Sequence, residues 1–257
     1  MPKQLLILKV GSTFPELAAT RGDFEDWIAD GLCRGHARAR SAIRVVNAVQ
    51  DGPLPSLTDV WGIVVTGSHA MVTDDAPWCR AVAMWLRDAI TAQVPTLGIC
   101  FGHQLLAQAA GGTVGYHDDG PEMGRVLAHA LPRATDDPIF GRLPAAFHTL
   151  NGHFQFVHQL PPGAVALVTT ERDSCHAFRL GNAAWGVQFH PEFDETVTAV
   201  YLDQSRDALG AAGLDAQQLI AQCAPTPVAA QVLGLFREFA TDYARETRGH
   251  HANTLSG

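Results

Sequence analysis

The first half of the chain alternates short, continuous apolar runs with stretches in which apolar residues recur at helical spacing. The apolar runs occupy residues 5–10, 43–49, 61–66 and 94–99, and helical spacing is found at 24–33 and 77–91. Continuous apolar runs separated by helical segments are typical of parallel strands that are buried on both faces. The pattern therefore predicts an α/β fold, with a central, mostly parallel sheet covered by helices on both faces.

Beyond residue 113 the pattern changes to shorter strand segments, which Pro and Gly residues separate. These segments occupy residues 126–131, 146–150, 165–170, 176–180 and 185–189, and helical spacing returns at 197–209, 216–223 and 227–243. We expect some of the short strands to pair antiparallel, as a small extension of the sheet.

The domain organisation follows from the absence of a Pro/Gly/Ser-rich linker and of internal repeats. We predict a single domain over residues 1–246. Residues 247–257 are polar without an apolar period and are predicted to be a disordered tail, in which His250 and His251 are solvated. Residues 196–245 either cap the sheet or form a docking face, and the pattern does not choose between these roles.

Composition and charge exclude several classes of partner. The 257 residues include 18 Lys and Arg against 26 Asp and Glu, so the formal net charge is −8, and no basic stripe interrupts it. We therefore expect no nucleic-acid partner. No apolar run reaches the ~18 residues that would span a bilayer, and the N-terminus lacks the apolar region of a secretion signal. The chain is predicted to be cytoplasmic, with no membrane partner.

The five cysteines are odd in number and widely spaced, at Cys33, Cys79, Cys100, Cys175 and Cys223. Without a C-x-x-C pair they argue against a disulfide framework and a zinc site, so we predict no metal. No glycine-rich dinucleotide or phosphate loop occurs either, so no cofactor is predicted. Four of the cysteines are interpreted as small buried apolar residues. Cys100 differs because of its surroundings.

Cys100 lies at the centre of the turn Gly98-Ile99-Cys100-Phe101-Gly102, between a predicted strand and a helical segment at 103–110. Glycines two positions before and after a nucleophile leave room for the strained backbone of a sharp turn. Amide groups at a helix start and an adjacent imidazole both favour the thiolate form of a cysteine. The turn therefore predicts a nucleophilic thiol.

His190 and Glu192 follow the predicted strand 185–189 and supply the groups that a thiol nucleophile needs. Alternate residues leaving a strand point the same way, so Glu192 would orient the imidazole of His190 as a general base. Taken alone, His190 would instead be interpreted as a core histidine bonded to a backbone carbonyl. Cys100 in its turn and the carboxylate of Glu192 favour a catalytic triad.

A nucleophile of this kind also needs donors for a developing oxyanion. The amide of Phe101 is one candidate. Gly67 and Ser68 are others, because they follow the predicted strand 61–66 at the end of the sheet where such folds bind ligands. A plain loop is the alternative interpretation of Gly67 and Ser68.

Residues 97–106 with Ala110-Gly111-Gly112, together with residues 186–193, resemble the class I glutamine amidotransferases. The likeness is greatest to stand-alone chains similar to the glutaminase half of GMP synthase, and it covers most of residues 4–200. It implies a flavodoxin-like three-layer sandwich and a Cys-His-Glu triad of Cys100, His190 and Glu192.

The resemblance also implies a reaction and a binding site for its substrate. The Cys100 thiolate attacks the side-chain carboxamide of glutamine, His190 protonates the departing ammonia, and water then cleaves the γ-glutamyl thioester. Gln104 matches a glutamine near the substrate. Residues 152–155 stand where the glutaminase has a Ser-His-Gly-Asp segment that holds the α-amino and carboxylate groups. The resemblance makes Gly152, His153 and Phe154 candidate binding residues; His153 is kept, whereas Gln155 replaces the aspartate and removes its charge.

Three functions remain open. The leading hypothesis is a glutaminase subunit that passes ammonia to a separate synthetase, because no S-G-G-x-D-S pyrophosphate loop occurs in this chain. The first alternative is a self-contained hydrolase of γ-glutamyl amides, which would use the same triad on a different leaving group. The second is a non-catalytic binding scaffold, against which the complete triad argues.

Overall fold

The computed structural model describes residues 3–254 and confirms the α/β fold. The strands are β1 (Gln4–Lys9), β2 (Ile43–Asn47), β3 (Val60–Val65), β4 (Thr96–Ile99), β5 (Thr113–Tyr116), β6 (Glu122–Ala130), β7 (Ala146–His153), β8 (Gln155–Gln159), β9 (Ala164–Thr169), β10 (Ala177–Leu180) and β11 (Ala184–Val187). The helices are α1 (Pro15–Arg21), α2 (Phe24–Cys33), α3 (Pro77–Thr91), α4 (Phe101–Ala109), α5 (Glu195–Gln204), α6 (Arg206–Ala211), α7 (Ala216–Ala221) and α8 (Gln231–Thr254).

The large sheet has the strand order β2-β1-β3-β4-β11-β10-β9-β6-β7, while β5 pairs with β8 in a separate two-stranded sheet. Neighbouring strands from β2 to β11 are parallel. From β11 to β7 every neighbouring pair is antiparallel. The predicted antiparallel extension is therefore the other half of the same sheet. The carboxyl ends of β3, β4 and β11 meet at one edge of the parallel half.

Alternate residues of β1 show how the parallel half is buried on both faces. Leu5 and Ile7 pack in the cluster that contains residues of α2 and α8, whereas Leu6 and Leu8 pack in the cluster that contains residues of α3 and α4. All four side chains are buried, as the continuous apolar run predicts. Burying each of these side chains contributes roughly 1.5–3 kcal/mol, so both helix layers stabilise β1 in the sheet.

The predicted helices 24–33 and 77–91 coincide with α2 and α3. The predicted helix 197–209 is two helices, because the chain breaks at Ser205, whose amide is shared between the carbonyls of Tyr201 and Leu202. The sequence pattern misses α1 and the pair β5 and β8. Strand β5 is partly exposed along its whole length, so it has no continuous apolar run.

The last helix extends further than the apolar spacing predicts. Helix α8 ends at Thr254, so it includes residues 247–254 of the predicted tail, while 255–257 and the side chains of His250 and His251 lie outside the described residues. Residues 245–247 are exposed, which explains why no apolar period marks this end of the helix. The single domain over 1–246 stays a prediction. Across residues 3–254, no helix combines the length and the apolar character that crossing a membrane requires.

Candidate active site

The backbone at Cys100 is a strained elbow between β4 and α4. Cys100 has φ 50° and ψ −103°, a conformation that residues with a side chain rarely adopt. A Cβ at Gly98 would lie 2.3 Å from the carbonyl oxygen of Gly102, and one at Gly102 would lie 2.6 Å from that of Val65. Both glycines are therefore required by close backbone packing. The elbow holds Cys100 at the N-terminus of α4, where the helix dipole favours negative charge.

His190 and Glu192 follow β11, the strand next to β4 in the sheet. The Nδ1 atom of His190 lies 2.7 Å from Oε1 of Glu192, and the imidazole also lies next to Cys100. Burial by itself would lower the pKa of His190, but the charges of Glu192 and Cys100 and its hydrogen bonds to them raise that pKa to about 10. The structure thus brings the three predicted side chains together.

Aromatic packing and a backbone bond hold the imidazole of His190 in place. The ring of Phe193 stacks on it with centroids 3.9 Å apart, and Phe24 lies nearly parallel at 6.1 Å. The His190 amide donates to the carbonyl oxygen of Leu150 in β7 at 2.9 Å. A Cβ at Gly67 would lie 3.0 Å from Cε1 of His190, so this predicted oxyanion residue also makes room for the ring.

A cavity of about 270 Å³ opens beside Cys100. Six residues predicted for the oxyanion hole or for substrate binding line it: Ser68, Phe101, Gln104, Gly152, His153 and Phe154. Gly67, His190 and Glu192 do not line the cavity. Cys100 does, so its thiol lies between the cavity and the imidazole of His190. Among the described residues that line the cavity, there is no Lys, Arg, Asp or Glu. The cavity therefore offers a substrate neutral hydrogen-bonding groups and apolar surface.

The two glutamines of the cavity wall are engaged in structural hydrogen bonds. The Nε2 group of Gln104 donates to the backbone oxygen of Gln155 at 2.7 Å and to Oε1 of Gln188 at 3.1 Å. The side chain of Gln155 accepts from the amide of Val72 and donates to the hydroxyl of Thr73. Gln155 therefore ties the wall to the turn at 72–73.

Several cavity residues carry no local signal that sequence reasoning detected. Tyr201 of α5 lies across the cavity, and its hydroxyl is 2.9 Å from Oγ1 of Thr13 and 3.0 Å from Nε2 of His69. Burial raises the pKa of Tyr201, and burial together with the charge of His190 lowers that of His69. The remaining unpredicted lining includes the apolar side chains of Phe14, Met71 and Met123.

A second group of ionisable side chains lies below the cavity and comprises Glu122, His153, Asp173 and His176. We call it the buried cluster; all four are buried, and one polar atom from each lies within 4.8 Å of the others. Burial would raise the pKa values of Glu122 and Asp173, but the neighbouring imidazoles lower both, that of Asp173 to about 2. Only the Asp173-x-x-His176 spacing is local, so sequence reasoning did not detect the cluster.

Comparisons with known proteins agree with this architecture. Residues 23–205 match the family model described as glutamine amidotransferase class-I. Over 136 residues the chain is 34% identical to "GMP synthase [glutamine-hydrolyzing]" of Thermosipho africanus, which covers 52% of this chain and 24% of that protein. Over 162 residues it is 28% identical to gamma-glutamyl peptidase 3 of Arabidopsis thaliana, covering 61% of this chain and 65% of the relative.

A solved structure is similar over nearly the whole chain. The crystal structure of a glutamine amido transferase from Methylobacillus flagellatus superposes with a TM-score of 0.68 and 26% identity, covering 97% of this chain and 96% of that one. The chain thus spans about the full length of this structure, but only 24% of the GMP synthase and 65% of the peptidase.

Proposed function

The chain belongs to the class I glutamine amidotransferase family, and from that premise we propose that it hydrolyses the side-chain amide of glutamine through a thioester on Cys100. The observation that carries the proposal is one set of contacts. The thiol on the strained elbow lies next to the imidazole of His190, and Nδ1 of His190 lies 2.7 Å from Oε1 of Glu192, beside a cavity that would hold the substrate.

Each group has a role in the proposed reaction. The sulfur of Cys100 attacks the amide carbon, and the negative oxygen of the tetrahedral intermediate accepts hydrogen bonds from the backbone at Phe101 and at Gly67-Ser68. His190 gives its proton to the departing nitrogen, which leaves as ammonia. Water then attacks the thioester, His190 takes its proton, and glutamate leaves as the thiol re-forms. Glu192 keeps the imidazole oriented and stabilises its charged form.

The ammonia would pass to a separate acceptor enzyme, a synthetase that consumes it. This part of the proposal rests on the similarity to a protein named a glutamine-hydrolysing GMP synthase, of which the match covers 24%. A partner that raises glutamine turnover when mixed with the chain would support it.

A second candidate is the self-contained hydrolysis of substituted γ-glutamyl amides. The observation that favours it is the apolar wall of the cavity, which includes Phe14, Met71, Met123 and Phe154, together with the absence of a charged Asp or Glu in the lining. Such a wall would accommodate an apolar substituent on the amide nitrogen. The similarity to a gamma-glutamyl peptidase supports the same reaction class.

One experiment tests both candidates. The purified chain is given glutamine and a series of γ-glutamyl alkylamides of increasing length, release of ammonia or amine is measured, and acid-quenched samples are examined by peptide mass spectrometry for a glutamyl adduct on Cys100. Highest kcat/KM for glutamine supports the amidotransferase, and highest kcat/KM for a long alkylamide supports the amide hydrolase. No turnover and no adduct with any of these amides would refute both and leave the binding scaffold.

A further inference from the structure

The buried cluster joins three segments of the chain directly beneath the cavity. Glu122 begins β6, His153 ends β7, and Asp173 and His176 lie in the turn between β9 and β10. Their residues are only 4%, 2%, 2% and 0% exposed, respectively. Two carboxylates and two imidazoles in one enclosed volume are costly to bury unless their charges balance. What balances them follows from the hydrogen bonds around each ring.

The surroundings of His153 leave one ring nitrogen facing a carboxylate. Its Nδ1 atom lies 3.2 Å from the backbone oxygen of Gln155, which can only accept, so Nδ1 carries a proton and donates it. Its Nε2 atom lies 3.3 Å from Oε2 of Glu122. Two acceptors at this distance repel each other, so either a second proton or a metal cation lies between them.

The same reasoning applies to His176. Its Nε2 atom lies 3.4 Å from the hydroxyl of Thr149, and that hydroxyl donates to the backbone oxygen of Val126, so Nε2 is the donor to Thr149. Its Nδ1 atom then faces Oδ2 of Asp173 at 3.1 Å and Oε2 of Glu122 at 3.7 Å. This nitrogen too needs a proton or a cation between itself and the carboxylates.

The separations between these atoms suit a small divalent ion. Bonds of about 2.0–2.2 Å from zinc to nitrogen and oxygen, at tetrahedral angles, place neighbouring ligand atoms about 3.3–3.6 Å apart. Three of the six separations among the four ligand atoms are 3.1, 3.3 and 3.7 Å, and all six lie within 4.8 Å. Both carboxylates are also oriented from outside: Thr170 donates to Oε1 of Glu122, and the Cys175 amide donates to Oδ1 of Asp173. Metal ligands are characteristically held by such outer hydrogen bonds.

We propose that the buried cluster is a binding site for one divalent transition-metal ion of the zinc type. Its ligand atoms are Oε2 of Glu122, Nε2 of His153, Oδ2 of Asp173 and Nδ1 of His176. The two carboxylates neutralise the ion, and both imidazoles bind it in the neutral form with the other nitrogen donating, as the hydrogen bonds already require. Four protein ligands in a closed volume are typical of a structural site. The ion fixes the end of β7, where His153 forms part of the cavity wall.

The test measures metal binding directly, without relying on activity. Co²⁺ is titrated into the chelator-treated full chain, and the visible absorption of tetrahedral Co²⁺ and the metal content after gel filtration are recorded. The parent carries His250→Ser and His251→Ser, so that the C-terminal histidines contribute nothing. We expect about one ion per chain, released by Zn²⁺. Asp173→Asn and His176→Gln should each weaken binding by at least about 100-fold.

Asp173→Asn is the decisive variant because a metal-free chain accommodates it. The asparagine keeps the acceptor for the Cys175 amide, and its Nδ2 group can donate to Nδ1 of His176, so this variant should fold with the far-ultraviolet circular dichroism of the parent. His158→Gln, a change at an exposed histidine, is the matched control and should retain full binding. Binding that survives Asp173→Asn, or a parent that binds no Co²⁺ at millimolar concentration, would overturn the proposal.

Discussion

Two regions of this protein contain a cysteine, a histidine and a carboxylate, and only one of them has the features of a nucleophile site. Cys100 occupies a strained elbow at a helix start and lines the cavity, next to His190 and Glu192. Cys175 adjoins His176 in the buried cluster, but it lies outside the cavity lining, and burial raises its pKa. The comparison shows that backbone strain and access to a cavity distinguish the two sites, because the residue types are the same.

The two regions also differ in how their ionisable side chains shift one another's pKa values. The His190 imidazole has one carboxylate and one thiol beside it, which raise its pKa against the effect of burial. In the buried cluster, two carboxylates face two imidazoles, and the carboxyl pKa values are lowered. In the proposed reaction, the first arrangement supplies the proton for the leaving group. The second is buried and, in our proposal, offers four ligand atoms to one metal ion.

The largest difference in activity between the two regions is expected when their cysteines are replaced. Cys100→Ser should lower kcat for the best amide substrate by at least about 10³-fold, because a hydroxyl is a far weaker nucleophile than a thiolate. Cys175→Ser is the matched change and should keep kcat close to the parent value. Ammonia or amine release measures both, and equal losses would remove the distinction between the two regions.

The elbow itself is tested by Gly98→Ala. A Cβ there would meet backbone atoms of Gly102 at 2.3 and 2.5 Å, so we expect the free energy of unfolding to fall by about 3–5 kcal/mol. Gly210 in α6 has nothing within 4 Å of such a Cβ, and Gly210→Ala should raise the free energy of unfolding by about 0.5–1 kcal/mol. Urea unfolding compares the two. A Gly98→Ala chain as stable as the parent would contradict the packing described here.

The role of Glu192 should appear in the pH profile. Glu192→Gln removes the charge that helps to raise the pKa of His190, so kcat/KM should fall by about 100-fold. The alkaline limb of the kcat/KM profile should also shift to lower pH, because the neutral amide holds the imidazolium less strongly. Glu238→Gln, which affects only an exposed ion pair with Arg142, is the control and should leave the profile in place. An unchanged alkaline limb in Glu192→Gln would mean that this carboxylate does not act on His190.

The last prediction concerns the pH dependence of stability and His103 of α4, which follows the elbow closely. The ring is fully buried, and burial lowers its pKa to about 3, although a backbone hydrogen bond with Gly186 acts in the opposite direction. A depressed histidine pKa contributes stability that is present above the unfolded value near 6.5 and is lost as the pH falls toward 3.

As the pH falls through that range, the free energy of unfolding should decrease more steeply for the parent than for His103→Leu. The difference in slope should be up to about 1.4 kcal/mol per pH unit. Urea unfolding between pH 6.5 and 4 measures the two slopes, with the exposed His158→Leu as control. Parallel curves for the parent and His103→Leu would show that His103 is protonated in the folded protein.

Local patterns along the chain were sufficient for the strands of the parallel half of the sheet and for the elbow. The runs at 5–10 and 94–99 predicted β1 and β4 because a strand buried on both faces must be apolar throughout. Local apolar patterns failed to predict β5, whose residues are partly exposed. They also failed for the end of α8, where the sequence has no apolar period. Apolar spacing reports burial, so elements with little buried surface leave no such signal.

Local sequence was enough to predict the sharp turn around Cys100, because Gly98 and Gly102 flank the cysteine at the spacing that such a turn requires. It also placed His190 and Glu192 two residues apart, at the end of one strand. The other groups described here come together from distant parts of the chain and follow from the fold. Tyr201 reaches the cavity from α5, and Glu122 meets His153, Asp173 and His176 from three separate segments. Such meetings depend on strand order and register across the sheet, which short-range spacing does not specify.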